Sequence, residues 1–512
     1  MADPAVRATP IEDIEKYLNT ARLTFNSGRS KPIAWRKQQL RALYRLIDEN
    51  RDKIVDALQK DFRKPTTEAT VLMSGLNHIV YCLENLPNWM KPEYPKKGLS
   101  EFGADLSINH EPFGVCLIIA PWNYPFELVF KPLTSAIAAG NVAVLKPSEI
   151  TVNAANVITE LIPMYLDNEA FFVVNGGVPE TTALLERKFD HITYTGSTAV
   201  GKIIMSHAAK HLTPVILELG GKSPVVIDPK LSSADVARVC RRLVATKFFN
   251  AGQTCVAPDY VLCPPHLMEP LTTAIRENVL KYFGEDASQS PDFARIVNTN
   301  HTRRIGGLID RQKVTPGSVV ITGGKWDEAT RYVEPTVIAG VRGDGPLMEQ
   351  EIFGPALPIV QCAGIDEAIE FIRDGPHARP LALYVFTKDK ATADQVHGSA
   401  VSGSVVINDA TFQYAADSAP FGGIGASGMG TLHGKYGFMA YTHHKTVLAK
   451  PLTWFADHTD DFIGRFPPYS QKSLNALEKV AERRLPSEKN MVSTLLSVAA
   501  AGLSYLAKRW RS

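Results

Sequence analysis

The stretch Val142-Ala143-Val144-Leu145-Lys146-Pro147-Ser148-Glu149 opens on four apolar residues and closes on a charged pair around a proline and a serine. A short, unbroken apolar run with such punctuation reads as a strand buried on both faces. The pattern occurs upstream in Val115 to Ala120, stopped by Pro121, and downstream in Phe171 to Val174. Helical segments lie between, over 126–139 and 153–165. Strand–helix alternation of this kind predicts a parallel α/β sheet. It restarts after Gly220-Gly221, with 224–227 as a strand, 233–249 as a helix and 260–263 as a strand, which places the start of a second α/β domain near residue 220. Further upstream, 11–60 reads as helical from the spacing of Leu40, Leu43, Leu46 and Ile47, and 66–90 as another helix. Residues 91–112, rich in Pro, Lys and Gly and weakly alternating, read as an exposed hairpin.

A chain of 512 residues calls for two or three domains. Lys+Arg 55 against Asp+Glu 53 leaves a formal charge of +2, so no large basic surface for nucleic acid is implied. The six cysteines are scattered without a CxxC pair, which speaks against a zinc site or a disulfide framework and fits a reducing compartment. The first 18 residues contain acidic residues and no long apolar run, unlike a secretory or transit peptide. The end of the chain differs. Met491 to Ala507 is 17 residues without a charge, followed by Lys508-Arg509-Trp510-Arg511. As a helix it spans roughly 26 Å, the lower limit for crossing a bilayer. Residues 486–512 are therefore expected to associate with a membrane, spanning it or lying on it; a terminal helix docked on a partner subunit is the plainer alternative.

Phe249-Asn250-Ala251-Gly252-Gln253-Thr254-Cys255 places a cysteine after an apolar run and an Asn/Gly turn, a way to present a thiol at the floor of a pocket. Pro121-Trp122-Asn123-Tyr124-Pro125 follows a buried strand, where the Asn123 side chain can donate to a developing oxyanion or merely shape a turn. Glu218, flanked by leucines before Gly220-Gly221, is either a desolvated base or an ordinary paired carboxylate. Gly196-Ser197-Thr198-Ala199-Val200-Gly201-Lys202 has the GxxxxGK spacing at a strand-to-helix turn, suited to phosphate. Ile203 stands where a P-loop needs Ser or Thr for magnesium, which weighs against a P-loop NTPase. Lys146, Ser148 and Glu149 lie just beyond a parallel strand, where open α/β sheets bind ligands. Glu149 would repel a 2′-phosphate and favour NAD over NADP. Glu351 suits a ribose and Phe353 a nicotinamide, although Glu351 to Pro355 also reads as a plain turn.

The order and spacing of these motifs resemble the aldehyde dehydrogenases over roughly residues 20–450, including Gly252-Gln253-Thr254-Cys255, Glu218-Leu219-Gly220-Gly221-Lys222, Glu351-Ile352-Phe353-Gly354-Pro355 and Pro420-Phe421-Gly422-Gly423. Trp122-Asn123-Tyr124-Pro125-Phe126 and Ser427-Gly428-Met429-Gly430 resemble the class 3 branch, which includes fatty aldehyde dehydrogenases with a C-terminal membrane helix; related fungal enzymes oxidise apocarotenoid aldehydes. The resemblance implies an α/β fold with a Rossmann-type NAD domain that lacks the GxGxxG turn. That domain would take 1–98, 116–220 and a return segment 419–439. A catalytic domain would take 221–418, and an oligomerisation arm 99–115 and 440–449. It implies a homodimer, no metal and a long-chain apolar aldehyde, a fatty aldehyde or an apocarotenal, as small-molecule substrate, at the cytoplasmic face of an intracellular membrane. Cys255 would be the nucleophile, Asn123 the oxyanion donor and Glu218 the base. Lys146, Ser148, Glu149, Gly196, Ser197, Thr198, Gly201, Glu351 and Phe353 would hold the cofactor.

Overall fold

The computed structural model describes residues 6–71, 75–98, 101, 103–454, 456–457, 460 and 465–481. It divides into two compact units. One comprises the chain through Lys91 and His110–His443; the other comprises Pro92–Asn109 and the chain from His444 onward.

The first unit opens with five helices: α1 (Ile11–Asn26), α2 (Ile33–Glu49), α3 (Arg51–Phe62), α4 (Thr66–Val71) and α5 (Gly75–Trp89). The helical reading of 11–60 is divided by Gly28, in the left-handed region, and by Pro32, which caps α2 without offering an N–H. Leu40, Leu43, Leu46 and Ile47 form the buried stripe of α2, as their spacing requires.

Two sheets follow in the same unit. The first contains β2 (Val115–Ile119), β3 (Val142–Lys146), β4 (Phe171–Val173), β5 (His191–Gly196), β6 (Val215–Leu219) and β16 (Gly428–Met429), in the order β16-β6-β5-β2-β3-β4. All pairings are parallel except that of β16 with β6. Its crossovers carry α6 (Glu127–Ala139), α7 (Val152–Tyr165), α8 (Val178–Leu185) and α9 (Thr198–Ala209). β2 and β3 are buried at every position, so they read as continuous apolar runs rather than alternating ones.

The second sheet contains β7 (Ser223–Ile227), β8 (Pro258–Cys263), β9 (Val319–Thr322), β12 (Thr336–Ala339), β13 (Ala356–Gln361), β14 (Ala382–Phe386) and β15 (Ser404–Ile407), in the order β15-β14-β7-β8-β13-β12-β9. Only β9 runs antiparallel to its neighbour. β10 (Trp326–Asp327) and β11 (Tyr332–Val333) form a small separate pair. The helices here are α10 (Ser233–Phe248), α11 (Met268–Phe283), α12 (Thr299–Lys313), α13 (Ile365–Asp374) and α14 (Lys390–Ser399); α15 (Gly434–Ala440) packs on α5 and α6. The chain changes sheet between Leu219 and Ser223, across Gly220-Gly221-Lys222. Each sheet has its own buried hydrophobic cluster.

The stretch 91–112 is not a self-contained hairpin. Its one local pairing among the described residues is the bridge Glu93–Ile108, and its strand β1 (Asp105–Pro112) pairs with β17 (Thr442–Ala449) in a two-stranded sheet. β17 is mostly exposed, so neither partner needs a strong apolar alternation to form. No helix among the described residues is long and apolar enough to cross a membrane. The expected membrane segment 486–512 lies outside the described residues.

Candidate active site

The strand order of the first sheet reverses at β2: β3 and β4 lie on one side of it, β5 and β6 on the other. In open α/β sheets the crevice at the carboxyl ends beside such a reversal is where ligands bind. Four loops leave the sheet at that edge. Asn123 follows β2, Lys146 to Glu149 end β3, Gly196 to Thr198 join β5 to α9, and Gly220-Gly221 follow β6.

The cysteine loop is built from strained backbone. After α10, Asn250, Ala251 and Gly252 have φ of 54°, 51° and 72°. Left-handed non-glycine residues cost about 1–2 kcal/mol each, so surrounding bonds must enforce the turn. The Asn250 N–H donates to Glu68 Oε2 at 3.0 Å. The Asn250 amide donates to Asn123 O at 3.2 Å and Gln253 O at 3.1 Å. The Gln253 amide donates to Asn250 O at 2.9 Å and Arg295 O at 3.0 Å, and accepts from Val297 N at 2.9 Å. Tyr124 and Thr254 share a hydroxyl–hydroxyl bond of 2.5 Å, and the Tyr384 hydroxyl donates to Val256 O. At Gly252 a Cβ would fall 2.3 Å from Gly354 O, so only glycine fits.

Cys255 is the one partly exposed cysteine; the other five are buried. Desolvation pushes its thiol up to about 12, with Glu351 and Glu218 adding to the shift, while the N–H groups of Cys255 and Val256 oppose it. The Asn123 carboxamide is buried and spends one N–H on Gln253 O at 3.1 Å. Glu218 sits on β6 opposite Thr195 of β5 and Gly428 of β16. It is 3% exposed, and neither carboxylate oxygen has a hydrogen-bond partner among the described residues. Burial alone drives its carboxyl well above the usual range. A buried, unbonded carboxylate is costly to keep, which makes it a functional candidate. Asn123, Gln253 and the cysteine loop are thus joined by hydrogen bonds, and Cys255, Glu218 and Glu351 lie within electrostatic reach of one another.

The remaining candidates line the same edge. Lys146 is buried at the end of β3 and donates to Pro147 O at 2.9 Å and Glu149 Oε2 at 3.3 Å; burial lowers its pKa against the pull of exposed Glu149. Ser148 Oγ accepts from Ile150 N at 3.3 Å. Ser197 caps α9 by accepting from Val200 N at 3.4 Å, Thr198 Oγ1 donates to Ala426 O at 3.4 Å, and Gly201 packs against Leu219. Lys202 is exposed on α9. Glu351 abuts Gly220, where a Cβ would lie 2.0 Å from its Oε2; burial and then Asp259 push its carboxyl up to about 8. Phe353, at φ 49°, meets Trp122 edge-on with ring centroids 5.2 Å apart. A buried ammonium, an exposed helix N-terminus and a carboxylate at one sheet edge fit a dinucleotide.

The model of the aldehyde dehydrogenase family matches residues 5–447. The chain belongs to the aldehyde dehydrogenase family. It is 43% identical over 494 residues to aldehyde dehydrogenase family 3 member A2 of Macaca fascicularis, covering 96% of this chain and 99% of that one. It is 44% identical over 466 residues to a dimeric NADP-preferring aldehyde dehydrogenase of Rattus norvegicus, covering 90% and 99%. The substrate-bound AldH of Staphylococcus aureus superposes with a TM-score of 0.86 at 39% identity, covering 92% and 99%. This aldehyde dehydrogenase is therefore an oxidoreductase acting on aldehydes with NAD or NADP. The family also displaces the P-loop reading of Gly196 to Lys202. Sequence reasoning missed Gln253 as the hub of the cysteine loop, and Glu68 altogether. It also missed the fully buried Lys222, which pairs with Asp259 and donates to Leu347 O at 2.8 Å and Gln350 O at 3.1 Å beside Glu351. A buried polar hub such as Gln253 has no signature in a local pattern; its partners come from remote segments.

Proposed function

We propose that this aldehyde dehydrogenase oxidises a long-chain apolar aldehyde, a fatty aldehyde or an apocarotenal, to its acid through Cys255, with NAD as acceptor. The observation that carries the reading is the meeting of a strained cysteine loop, the Asn123 carboxamide and the unbonded Glu218 carboxylate at one sheet edge. Cys255 releases its proton to solvent, and the thiolate sulfur bonds to the aldehyde carbon as the C=O π pair moves to oxygen. The uncommitted Asn123 N–H and the Cys255 backbone N–H stabilise the alkoxide of the thiohemiacetal. Lys146, Ser148, Glu149, Gly196, Ser197, Thr198, Gly201, Glu351 and Phe353 would hold the dinucleotide. The chemistry a dinucleotide would supply there is that of a hydride acceptor for the substrate carbon. A thioester on Cys255 remains. Glu218, as carboxylate, takes a proton from water as the water oxygen attacks the thioester carbon; the C–S bond breaks, the Cys255 thiolate takes the proton back from Glu218, and the acid leaves.

NAD is favoured over NADP because Glu149 sets a carboxylate where a 2′-phosphate would be repelled. The rat relative called NADP-preferring favours the other choice, and the ratio of kcat/KM for the two cofactors decides between them. The rat relative called dimeric supports a homodimer. The uncharged run 491–507 with its basic flank supports attachment to the cytoplasmic face of an intracellular membrane. Half-buried Tyr414 and exposed Phe412 suit an apolar substrate over a polar one; a medium-chain or aromatic aldehyde is the competing choice. The test is NADH production across aldehydes of graded chain length. Cys255→Ala is expected to lower it at least about 10³-fold, and turnover that survives this change would remove the cysteine from the mechanism.

A further inference from the structure

Glu68 takes no part in these steps and lies far from Cys255 in the sequence. α4 nevertheless carries it into the interior, where its Oε2 accepts the Asn250 N–H at 3.0 Å. Asn250 is the first of the left-handed residues that aim the cysteine loop, and it follows the end of α10. Lys64 is buried beside it; its Nζ has no hydrogen-bond partner among the described residues and stands 4.8 Å from the Tyr124 ring centroid and 5.1 Å from that of Phe62. The Tyr124 hydroxyl bonds Thr254, the residue before Cys255. The charged groups acting on the pair are few. Lys64 and Asp292 act on Glu68, and Glu68 and Glu127 act on Lys64. Burial pushes the Glu68 carboxyl up and the Lys64 ammonium down, and each charge opposes the shift of the other.

We propose that Glu68 is a positioning residue for the nucleophile: by accepting the Asn250 N–H it fixes the left-handed turn that sets Cys255 against the Asn123 carboxamide. The inference rests on Cys255 being the nucleophile. The geometry favours it over a passive role for two reasons. A backbone donor just past a helix end needs an acceptor when buried, and here a side chain from another segment supplies it. Moreover, Asn123 is tied to the same turn through Asn250, so a shift there moves both the thiol and the oxyanion donor.

The experiment compares wild type with Glu68→Ala, Glu68→Gln and Glu68→Asp in the full chain. It reads the rate of Cys255 alkylation by iodoacetamide, followed by mass spectrometry, the single-turnover rate of NADH formation, and NAD affinity by fluorescence titration. Glu68→Ala leaves a buried donor unsatisfied and is expected to slow alkylation and single turnover about tenfold, with NAD affinity held within about twofold. Glu68→Gln keeps an acceptor oxygen at the same reach and is expected to recover most of both rates. The inference is overturned by wild-type rates in Glu68→Ala, or by Glu68→Gln proving as slow as Glu68→Ala. If Glu68→Ala does not fold, Glu68→Asp carries the test: it keeps the charge and withdraws the acceptor, so slow alkylation supports the inference and an unchanged rate overturns it. Cys255→Ala separates the two readings. Aldehyde turnover in that variant removes the nucleophile assignment itself, whereas an inactive Cys255→Ala beside Glu68 variants with wild-type rates removes only the role of Glu68.

Discussion

The two loops proposed to hold nucleophile and cofactor are built in opposite ways. The cysteine loop, 250–255, is buried through Gln253 and half-buried at Thr254 and Cys255, and its three successive left-handed residues are held by the Glu68 side chain from α4, the Asn123 carbonyl after β2 and the loop's own Gln253. The turn after β5, 196–201, is largely exposed. Its bonds are long or ordinary ones: the Ser197 Oγ cap accepts from Val200 N at 3.4 Å, Gly201 N donates to Ser197 O, Thr198 Oγ1 donates to Ala426 O at 3.4 Å and the Tyr194 hydroxyl to Ser197 O at 3.5 Å. The first carries strain that its neighbours over-determine, which would fix the proposed nucleophile before substrate arrives. The second leaves first-turn N–H groups open at the positive end of a helix, as a site for an anionic ligand requires. Substitutions in or beside the cysteine loop should therefore cost turnover, and those in the turn after β5 should cost cofactor affinity.

The largest effect that sharpens the contrast is expected at Glu218, beside the cysteine loop. Glu218→Gln should lower steady-state turnover about 10²–10⁴-fold while leaving one rapid burst of NADH per site, because the thioester forms and is not hydrolysed. The pH dependence follows from the direction of the shifts. Burial holds the Glu218 carboxyl well above its ordinary value, so the base form grows as pH rises. The Cys255 thiol, pushed up to about 12, deprotonates in the same direction. Wild-type turnover should climb between about pH 6 and pH 9, and Glu218→Gln should lose the part of that rise belonging to thioester hydrolysis. A steady-state rate and pH slope unchanged in Glu218→Gln would take water activation away from this residue.

Next in size is Gly252→Ala. The left-handed φ and the approach to Gly354 O add to about 3 kcal/mol against the native turn. The variant should inactivate at lower temperature and alkylate Cys255 more slowly. Gly196→Ala is its counterpart in the exposed turn. There the atoms nearest the added Cβ belong to the Tyr194 ring, its hydroxyl first, and φ is not left-handed. A side chain can move where a backbone carbonyl cannot, so the loss should be smaller. Equal losses in thermal inactivation would break the contrast between the two loops.

What the sequence made legible follows the same division. The strands were readable because β2, β3 and β7 are buried at every position and leave continuous apolar runs. Asn123, Lys146, Glu218 and Cys255 were readable because strand ends, glycines and prolines punctuate them locally. Glu68, Gln253 and the Lys222–Asp259 pair were not, because each acts through partners remote in the chain, such as Arg295 and Val297 for Gln253. The local pattern around β1 reads as half of an exposed hairpin for the same reason: its partner β17 lies near the other end of the chain.

The smallest effect is expected at Ser197, which is exposed and whose side chain makes one bond, to Val200 N. Replacing an N-cap by alanine costs about 1 kcal/mol, and here that cost falls on the first turn of α9, where the cofactor phosphates are proposed to sit. Ser197→Ala should raise KM for NAD by about two- to fivefold, with kcat and the Cys255 alkylation rate unchanged, since no bond links Ser197 to the cysteine loop among the described residues. Steady-state kinetics with varied NAD, set beside iodoacetamide alkylation of the same preparation, measures both arms. A fall in alkylation rate would mean that the two loops are mechanically coupled, and the thiol would then depend on cofactor-side geometry as well as on Glu68, Asn123 and Gln253.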